Sequence, residues 1–346
     1  MLRDYQKSMI KSPSRHAATD SPVRAVHKTA LDTSFVSFAP LDPQFGIWPI
    51  RTIPQPLEQA IWPDGETTGR KLFALLDASK FADLPLLLAG EGLPHRCLFR
   101  GDASQVWGGV APWLVELTRG SGLLRNLMTR SDRPQHLWDA RPGIFICGDL
   151  DLEALWRHLR RFTQMPGPDG GRIFFRFWDP KILPLLLQGI DSDQQWLRAF
   201  GTVGEVPLTF VTPQPAGTVL HRVSPELCGP RSRTPDRLPD AVVELLREQR
   251  WSEFQIRLCQ QLHKQHPQAI EPLSEDELRE FSNQGYARGF RIEKANFNYV
   301  LAAALCLRSG RDLLRITHSI PDWGQLTELD RSYALVAACK VEMEAS

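Results

Sequence analysis

The sequence predicts a mixed α/β fold in which a layered α/β domain is followed by a smaller all-helical domain. Strand-like apolar runs alternate with amphipathic, helix-like segments as far as about residue 212. A stretch dense in proline and polar residues follows, and beyond it the apolar residues recur at helical spacing. Alternating strands and helices are typical of layered α/β structures. We therefore place an α/β domain at residues 40–212, a linker at 213–238 and a helical domain at 239–346.

Length and composition limit the classes of protein. The chain has 346 residues, which exceeds a single core of about 100 to 200 residues. Its formal net charge of +1 favours local charged patches over a global field, and a nucleic-acid binder is usually more basic. The six cysteines are widely scattered, as in a reduced protein, and no apolar run reaches the roughly 20 residues that span a bilayer. We expect a cytoplasmic protein with neither a nucleic-acid nor a membrane partner.

The elements of the first domain can be assigned in chain order. Residues 1–39 are polar, rich in serine and basic residues and without periodicity, which predicts a flexible tail. Turn residues and apolar periodicity then predict two helices and three strands. The helices are expected at residues 57–62 and 123–128, and the strands at 71–76, 96–99 and 113–117.

The most informative stretch is a strand at residues 142–148 followed by a helix that ends at Phe162. Its apolar side chains recur at helical spacing and form one stripe, Leu152, Leu155, Trp156, Leu159 and Phe162. Asp149 or Asp151 can cap its first turn. The other side carries Arg157, Arg160 and Arg161 with Glu153. This basic side is either a solvated face, with Glu153 paired to Arg157, or a face that docks a partner.

The stretch after this helix predicts a covered strand at residues 173–178, because both of its alternating faces are largely apolar. Arg176 must then emerge at the strand end or find an anionic partner. Asp179 followed by Pro180 predicts the start of a helix over residues 181–188, which Pro184 should distort.

Three motifs together resemble a known family. They read Leu72-Phe-Ala-Leu-Leu-Asp77, Leu152-Glu-Ala-Leu-Trp-Arg-His-Leu-Arg-Arg-Phe162 and Phe175-Arg-Phe-Trp-Asp-Pro180. In this order and separation, the chain over residues 57–211 resembles the Tap-type effector adaptor or chaperone family of bacterial type VI secretion, known as domain of unknown function 4123. The proline-rich N-terminal extension and the loop around Gly108 and Gly109 depart from the family pattern.

The resemblance implies a cytoplasmic adaptor that holds a cognate toxic effector and helps to load it onto the spike protein VgrG. It implies no catalytic residues, and we expect no enzyme activity, cofactor or metal. Arginine and tryptophan are enriched at binding hot spots. We therefore predict that the partner is bound by Arg157, Arg160, Arg161, Arg176 and Trp178. Replacing the three helix arginines by glutamate is expected to abolish effector binding and to leave the melting temperature nearly unchanged.

The second domain shows clear helix signals and looks like the helical region that often follows the adaptor domain. A helix should begin after Pro239 and end at Pro267, and Ser274 with Glu277 forms a capping-box pattern. Two further helices are expected at residues 292–307 and 326–341.

Two other classes of function remain open. One is a metal-dependent nucleotide-sugar transferase that uses Asp149 and Asp151 after the 142–148 strand, although helix capping explains these carboxylates better. The histidines His95, His136 and His158 have no partner at suitable spacing and are expected to be structural. The other class is a structural component of the secretion machine. The turns at residues 90–95 and 107–109 are either ordinary turns or an adaptable recognition surface.

Overall fold

The computed structural model describes residues 30–63, 69–80, 83–166, 171–230, 232–271 and 273–344. Within these ranges the chain forms a seven-stranded sheet flanked by helices, followed by an all-helical region. The predicted fold class, a mixed α/β part followed by a helical part, is confirmed.

The elements of the sheet region run as far as residue 223. The strands are β1 (Leu31–Ser37), β2 (Lys71–Asp77), β3 (His95–Cys97), β4 (Pro112–Leu117), β5 (Gly143–Gly148), β6 (Gln164–Pro166), β7 (Arg172–Phe174), β8 (Thr202–Val203), β9 (Val206–Pro207), β10 (Thr209–Gln214) and β11 (Gly217–Val223). The helices are α1 (Gln55–Ile61), α2 (Leu84–Glu91), α3 (Asp102–Trp107), α4 (Gly122–Met128), α5 (Leu152–Leu159), α6 (Ile182–Ile190) and α7 (Gln194–Gly201).

The main sheet has the strand order β1-β11-β10-β5-β2-β4-β3, and every neighbouring pair is antiparallel. Its central strands β2 and β5 are nearly continuous apolar runs, as expected for strands covered on both faces. Gly143 opens β5 where a Cβ atom would lie 1.9 Å from the Leu75 carbonyl oxygen. The close approach of β5 to β2 therefore requires glycine at this position.

Helices cover both faces of the sheet. On one face, Phe73, Leu75 and Ile146 pack against the buried stripes of α5, α6 and α7. On the other face, Leu72 and Phe145 pack against α1, α2 and α4. Each large side chain that is fully buried contributes about 1.5 to 3 kcal/mol before the entropy of ordering is subtracted, so both helix layers are firmly held.

The helical region consists of α8 (Asp240–Gln265), α9 (Pro267–Ile270), α10 (Glu275–Ala287), α11 (Glu293–Arg308), α12 (Leu313–Ser319) and α13 (Glu328–Glu344). Its apolar side chains form a separate core. The first part of α8 belongs to the sheet region, because Val242 packs so closely on α6 that a Cβ atom at Gly189 would lie 2.6 Å from the Val242 Cγ2 atom. The capping box of Ser274 and Glu277 is present at the start of α10, as predicted.

Two predicted boundaries shift. The predicted tail at 1–39 is wrong for residues 31–37, which form the edge strand β1 and pair with β11, whereas residues 1–29 lie outside the described part of the chain. The predicted linker at 213–238 is wrong for residues 213–223, which close the β10–β11 hairpin. Proline argues against helix but is compatible with extended structure near a turn, and pairing with distant strands supplies order that local composition does not reveal.

The predicted covered strand at residues 173–178 is also wrong. Strand β7 ends at Phe174 and forms an exposed two-stranded ribbon with β6. Beyond it the chain turns, with the Asp179 amide donating to the Arg176 carbonyl oxygen at 3.0 Å. This turn sends Phe175, Phe177 and Trp178 into the core below the sheet, so their burial comes from packing and not from strand alternation.

Helix α6 forms where Asp179 and Pro180 predict it, and Pro184 does not break it. Asp179 accepts a hydrogen bond from the Lys181 amide at 2.9 Å, and its carbonyl oxygen accepts from the Leu183 amide at 3.1 Å. Pro184 is the third helical residue, where the backbone amide needs no intrahelical partner.

Over the described ranges, we find no helix with both the length and the apolar character needed to cross a membrane.

Candidate functional site

Helix α5 carries the predicted site residue Arg157, and the 3₁₀ turn that continues it over Arg160–Phe162 carries Arg160 and Arg161. The start of the helix is held by a cap. The Asp151 carboxylate accepts a hydrogen bond from the Ala154 amide at 2.6 Å. The stripe of Leu155 and Leu159 is fully buried against the sheet. The predicted helix and its inward face are therefore confirmed, and the opposite side is directed toward solvent.

Trp156 anchors this helix at the edge of the sheet. Its ring is 7% exposed, and its Nε1 atom donates to the Cys97 carbonyl oxygen of edge strand β3 at 2.7 Å. Three guanidinium groups lie over the same indole ring. The Cζ atoms of Arg96, Arg160 and Arg100 are 4.4, 4.8 and 5.6 Å from its centroid. Such cation–π contacts are worth about 0.5 to 1 kcal/mol each at exposed sites.

These side chains surround an open cleft of about 430 Å³, which we call the arginine cleft. It is lined by Arg96, Arg100, Glu153, Trp156, Arg157, Arg160 and Arg161. Five positive groups thus surround a single carboxylate.

The charges of the arginine cleft are only partly balanced. Glu153 forms an ion pair with Arg157 at 2.7 Å and another with Arg96. Within the described ranges, neither Arg100 nor Arg160 has a carboxylate oxygen within ion-pair distance. Burial, together with repulsion from Arg100, lowers the pKa of the Arg160 guanidinium. The predicted pairing of Glu153 with Arg157 is confirmed, yet it leaves an excess of positive charge beside it.

Arg161 is directed differently from the other helix arginines. Its guanidinium group donates to the carbonyl oxygens of His158 at 3.2 Å, Ser232 at 3.0 Å and Ala199 at 3.3 Å. It also lies 2.9 Å from Nδ1 of the buried His158, whose Nε2 atom is 2.8 Å from the Phe200 carbonyl oxygen. If Nε2–H donates to Phe200, Nδ1 accepts from Arg161. Arg161 therefore ties α5 to α7 and to the segment before α8.

Arg176 and Trp178 meet at a buried carboxylate on β2. Asp77 is 3% exposed and accepts hydrogen bonds from Arg176 Nη2 at 2.5 Å and from Trp178 Nε1 at 3.1 Å. The amide and hydroxyl of Ser79 donate to its other oxygen at 2.9 and 2.6 Å. We call Asp77, Ser79, Arg176 and Trp178 the Asp77 clamp. It joins the end of the first motif to the third motif and fixes the chain where α6 begins.

The clamp changes the interpretation of two predicted site residues. Arg176 has the anionic partner that the sequence required. Trp178 is only 3% exposed and packs in the core, so its predicted role as an aromatic surface anchor is wrong. An indole with its N–H satisfied by a buried carboxylate stabilises the fold and offers no surface to a partner.

The charged state of Asp77 is maintained by its neighbours. Burial by itself raises the pKa of this carboxyl group, but the two hydrogen bonds from Ser79, the Arg176 charge and the Trp178 bond outweigh that effect. The pKa of Asp77 consequently lies below its ordinary value of 3.8.

In the described part of the chain, the alternative carboxylate pair Asp149 and Asp151 is not joined by a third metal-ligating side chain. Asp151 is occupied as the α5 cap, and no group of three or more histidine, cysteine, aspartate or glutamate residues arranged to hold a metal ion occurs in the described part of the chain. His95 bonds the Leu93 carbonyl oxygen at 2.7 Å, and His136 lies 2.5 Å from the Ser131 hydroxyl. These histidines have local structural partners, as does His158.

Sequence reasoning missed Arg96 and Arg100 as members of the cleft. They lie more than 50 residues before α5 in the chain, on and just after β3. Their spacing of four residues in Arg96-Cys-Leu-Phe-Arg100 was the available signal, but only the docking of α5 on β3 shows that they meet Trp156.

A second missed feature is the loop at residues 42–51. The Gln44 amide group exchanges two hydrogen bonds of 2.8 Å with the backbone of Arg51, which closes the loop at its base. Phe45 and Trp48 are exposed at its tip. In the region of the 107–109 turn, Val106 and Trp107 are also exposed.

Comparison with known proteins covers the part of the chain that holds the arginine cleft and the Asp77 clamp. No curated protein and no solved structure matches the chain. Residues 72–196 match the family described as Domain of unknown function (DUF4123). Strands β1, β10 and β11 and the helical region lie outside the match, whereas both the arginine cleft and the Asp77 clamp lie inside it. The chain therefore contains a region similar to DUF4123, and that region extends from Leu72 in β2 to Trp196 in α7.

Proposed function

We propose that the protein is a cytoplasmic adaptor of bacterial type VI secretion that binds a cognate toxic effector and promotes its loading onto the VgrG spike. It would act by surface complementarity, without catalysis or a cofactor. The match of residues 72–196 to DUF4123, which includes the three motifs of the resemblance, supports this proposal.

The arginine cleft is the observation that carries the proposal. It lies on the predicted basic side of α5, and it combines exposed guanidinium groups with a fixed aromatic ring. Arginine and tryptophan are enriched at binding hot spots. Of the predicted residues, Arg157 and Arg160 are proposed to contact the effector, because Arg157 stays largely exposed in its pair with Glu153 and Arg160 lines the cleft, whereas Arg161 and Arg176 bind other elements of their own chain.

Co-purification from a bacterium with an active type VI secretion system tests the proposal. A tagged chain should retain one toxin and VgrG, and the double variant Arg157→Glu, Arg160→Glu should lose the toxin. Arg161 is left unchanged because it donates hydrogen bonds within the chain. Replacing it together with Arg157 and Arg160 would therefore destabilise the fold.

The matched control is Arg247→Glu, Arg250→Glu on the exposed side of α8, which makes the same change in net charge away from the cleft. It should retain the toxin. Retention by the cleft variant would reject the cleft as the binding surface. Recovery of sheath or baseplate proteins in place of a toxin would instead favour a structural component of the secretion machine.

A further inference from the structure

The arginine cleft carries positive charge that the described part of the chain does not fully neutralise. Glu153 is shared by Arg96 and Arg157, which leaves Arg100 and Arg160 without a carboxylate partner in the parts of the chain that the structure describes. These two guanidinium groups lie over one indole ring, where like charges repel. An incoming anion would relieve that repulsion and accept hydrogen bonds from both groups.

The cleft is held in place before any ligand arrives. The Asp151 cap fixes the start of α5, the bond from Trp156 to Cys97 fixes the ring against β3, and Glu153 fixes Arg96 and Arg157. A preorganised site loses less conformational entropy on binding than a set of mobile surface arginines. The planar fork of each guanidinium suits a carboxylate bound through both oxygens.

An apolar ribbon lies beside the charged groups. Phe99, which precedes Arg100 in the chain, packs against Phe174 of β7 with ring centroids 5.5 Å apart. Phe174 is 61% exposed, and Ile173 next to it is also exposed. Strand β6 of the same ribbon follows the turn that contains Arg160 and Arg161. A ligand that fills the cleft can therefore also cover an apolar surface.

Two features favour a peptide over a nucleic acid. The Trp156 ring is buried under guanidinium groups and is not available to stack a base, which is the usual role of an aromatic group in single-strand binding. Glu153 lies within the cleft and would repel a continuous phosphate backbone, and the net charge of +1 adds no long-range attraction. A cleft of about 430 Å³ has room for a few side chains.

The geometry points to a binding site for a short acidic segment of another protein. At least two carboxylates of that segment bind Arg100 and Arg160, and an aromatic side chain next to them in the segment covers Phe174. The assignment of that segment to the effector or the spike rests on the proposed function. The chemistry of the ligand rests on the cleft and ribbon alone.

Fluorescence anisotropy with a labelled synthetic peptide, Asp-Glu-Asp-Phe-Asp-Glu, tests the inference on the purified full-length chain. We expect saturable binding that weakens as salt increases, because exposed ion pairs are screened. The same peptide with glutamine and asparagine in place of its acids should bind at least tenfold more weakly. Replacing its phenylalanine by glutamine should weaken binding about threefold or more, and Phe174→Ser should remove that difference.

Substitutions in the chain locate the site. The double variant Arg100→Gln, Arg160→Gln should weaken binding of the acidic peptide at least tenfold and lower the melting temperature only slightly, through the two lost cation–π contacts. Its matched control, Arg247→Gln, Arg250→Gln on α8, should bind as tightly as the wild type. Equal binding by the cleft variant and the wild type would overturn the inference.

Competition identifies the ligand class. Inorganic phosphate or a single-stranded DNA oligonucleotide that displaces the peptide at equal molar concentration would overturn the peptide assignment. The absence of peptide binding at a concentration of about 1 mM would overturn it as well. Peptide binding without co-purified toxin or VgrG would uphold this inference and reject the proposed function, so the two failures are distinguishable.

Discussion

The Asp77 clamp and the arginine cleft both place guanidinium groups near a tryptophan, but only the clamp has a buried carboxylate to balance the charge. In the clamp, Arg176 and Trp178 donate to the same oxygen of Asp77. In the cleft, the guanidinium groups of Arg100 and Arg160 both lie over the Trp156 ring, and repulsion from Arg100 contributes to the lowered pKa of Arg160 after burial. The two sites therefore use similar residues differently. The clamp pairs its guanidinium and indole N–H groups with a carboxylate of the same chain, whereas the cleft leaves guanidinium groups that can bind another molecule.

This difference also explains what the family motifs contribute. The first and third motifs meet at Asp77, so the residues that make the resemblance specific there serve the fold. The second motif forms α5, whose buried stripe serves the fold and whose opposite side lines the cleft. A motif that identifies a domain is therefore not by itself a binding site, and burial decides which of its residues are available.

The largest effect is expected when the clamp loses its charge. Asp77→Asn should lower the free energy of unfolding by about 2 to 4 kcal/mol, because Arg176 and Trp178 lose a charged acceptor in a buried place. Urea denaturation measures the change. Asp139→Asn, which breaks the exposed pair with Arg130, is the control and should cost at most about 1 kcal/mol. Equal effects of the two variants would show that the clamp is no stronger than a surface pair.

The clamp should also have a signature in acid. Because the pKa of folded Asp77 lies below its ordinary value of 3.8, the unfolded chain takes up the proton first as the pH falls. The difference in free energy of unfolding between the wild type and Asp77→Asn should thus be constant well above pH 3.8, and it should shrink as the pH falls below that value. Urea midpoints of both proteins between pH 5 and pH 3 provide the measurement. A difference in unfolding free energy that grows as the pH falls would contradict this prediction.

The smallest effects distinguish the arginine that holds the fold, Arg161, from an arginine that lines the cleft, Arg157. Arg161→Gln should cost about 1 to 2 kcal/mol, because it removes donors to the carbonyl oxygens of Ser232, Ala199 and His158. Arg157→Gln loses one exposed pair with Glu153 and should cost at most about 0.5 kcal/mol. Thermal and urea unfolding of the two variants make the comparison. A larger loss of stability for Arg157→Gln than for Arg161→Gln would show that the roles assigned to these two arginines are incorrect.

Local signals were sufficient for several helices and for the central strands, whereas helices α2, α7 and α12 were not predicted. The cap at Asp151, the stripe of α5 and the capping box at Ser274 depend on residues within one or two turns, so their prediction needs no knowledge of distant contacts. The apolar runs of β2 and β5 were equally clear, because strands covered on both faces need no alternation.

Local signals failed where order comes from distant partners. Strand β1 has a mostly polar sequence, and it is ordered by pairing with β11, whose residues follow their partners by at least 180 positions. The aromatic run ending at Trp178 was assigned to a strand because its burial was inferred from alternation, whereas a turn and the carboxylate of Asp77 place it in the core. Neither partner can be identified from spacing along the chain.

The sequence by itself determined the class of fold, the helical second region, the inward face of α5 and the similarity to DUF4123, because periodicity, caps and motifs are short-range properties. Only the tertiary structure decided which arginines are open. Arg161 and Arg176 are bound within the chain, and Arg96 and Arg100 join Arg157 and Arg160 around one indole. The physical reason is that the availability of a charge depends on the nearest opposite charge in space, and antiparallel pairing and helix docking set that distance.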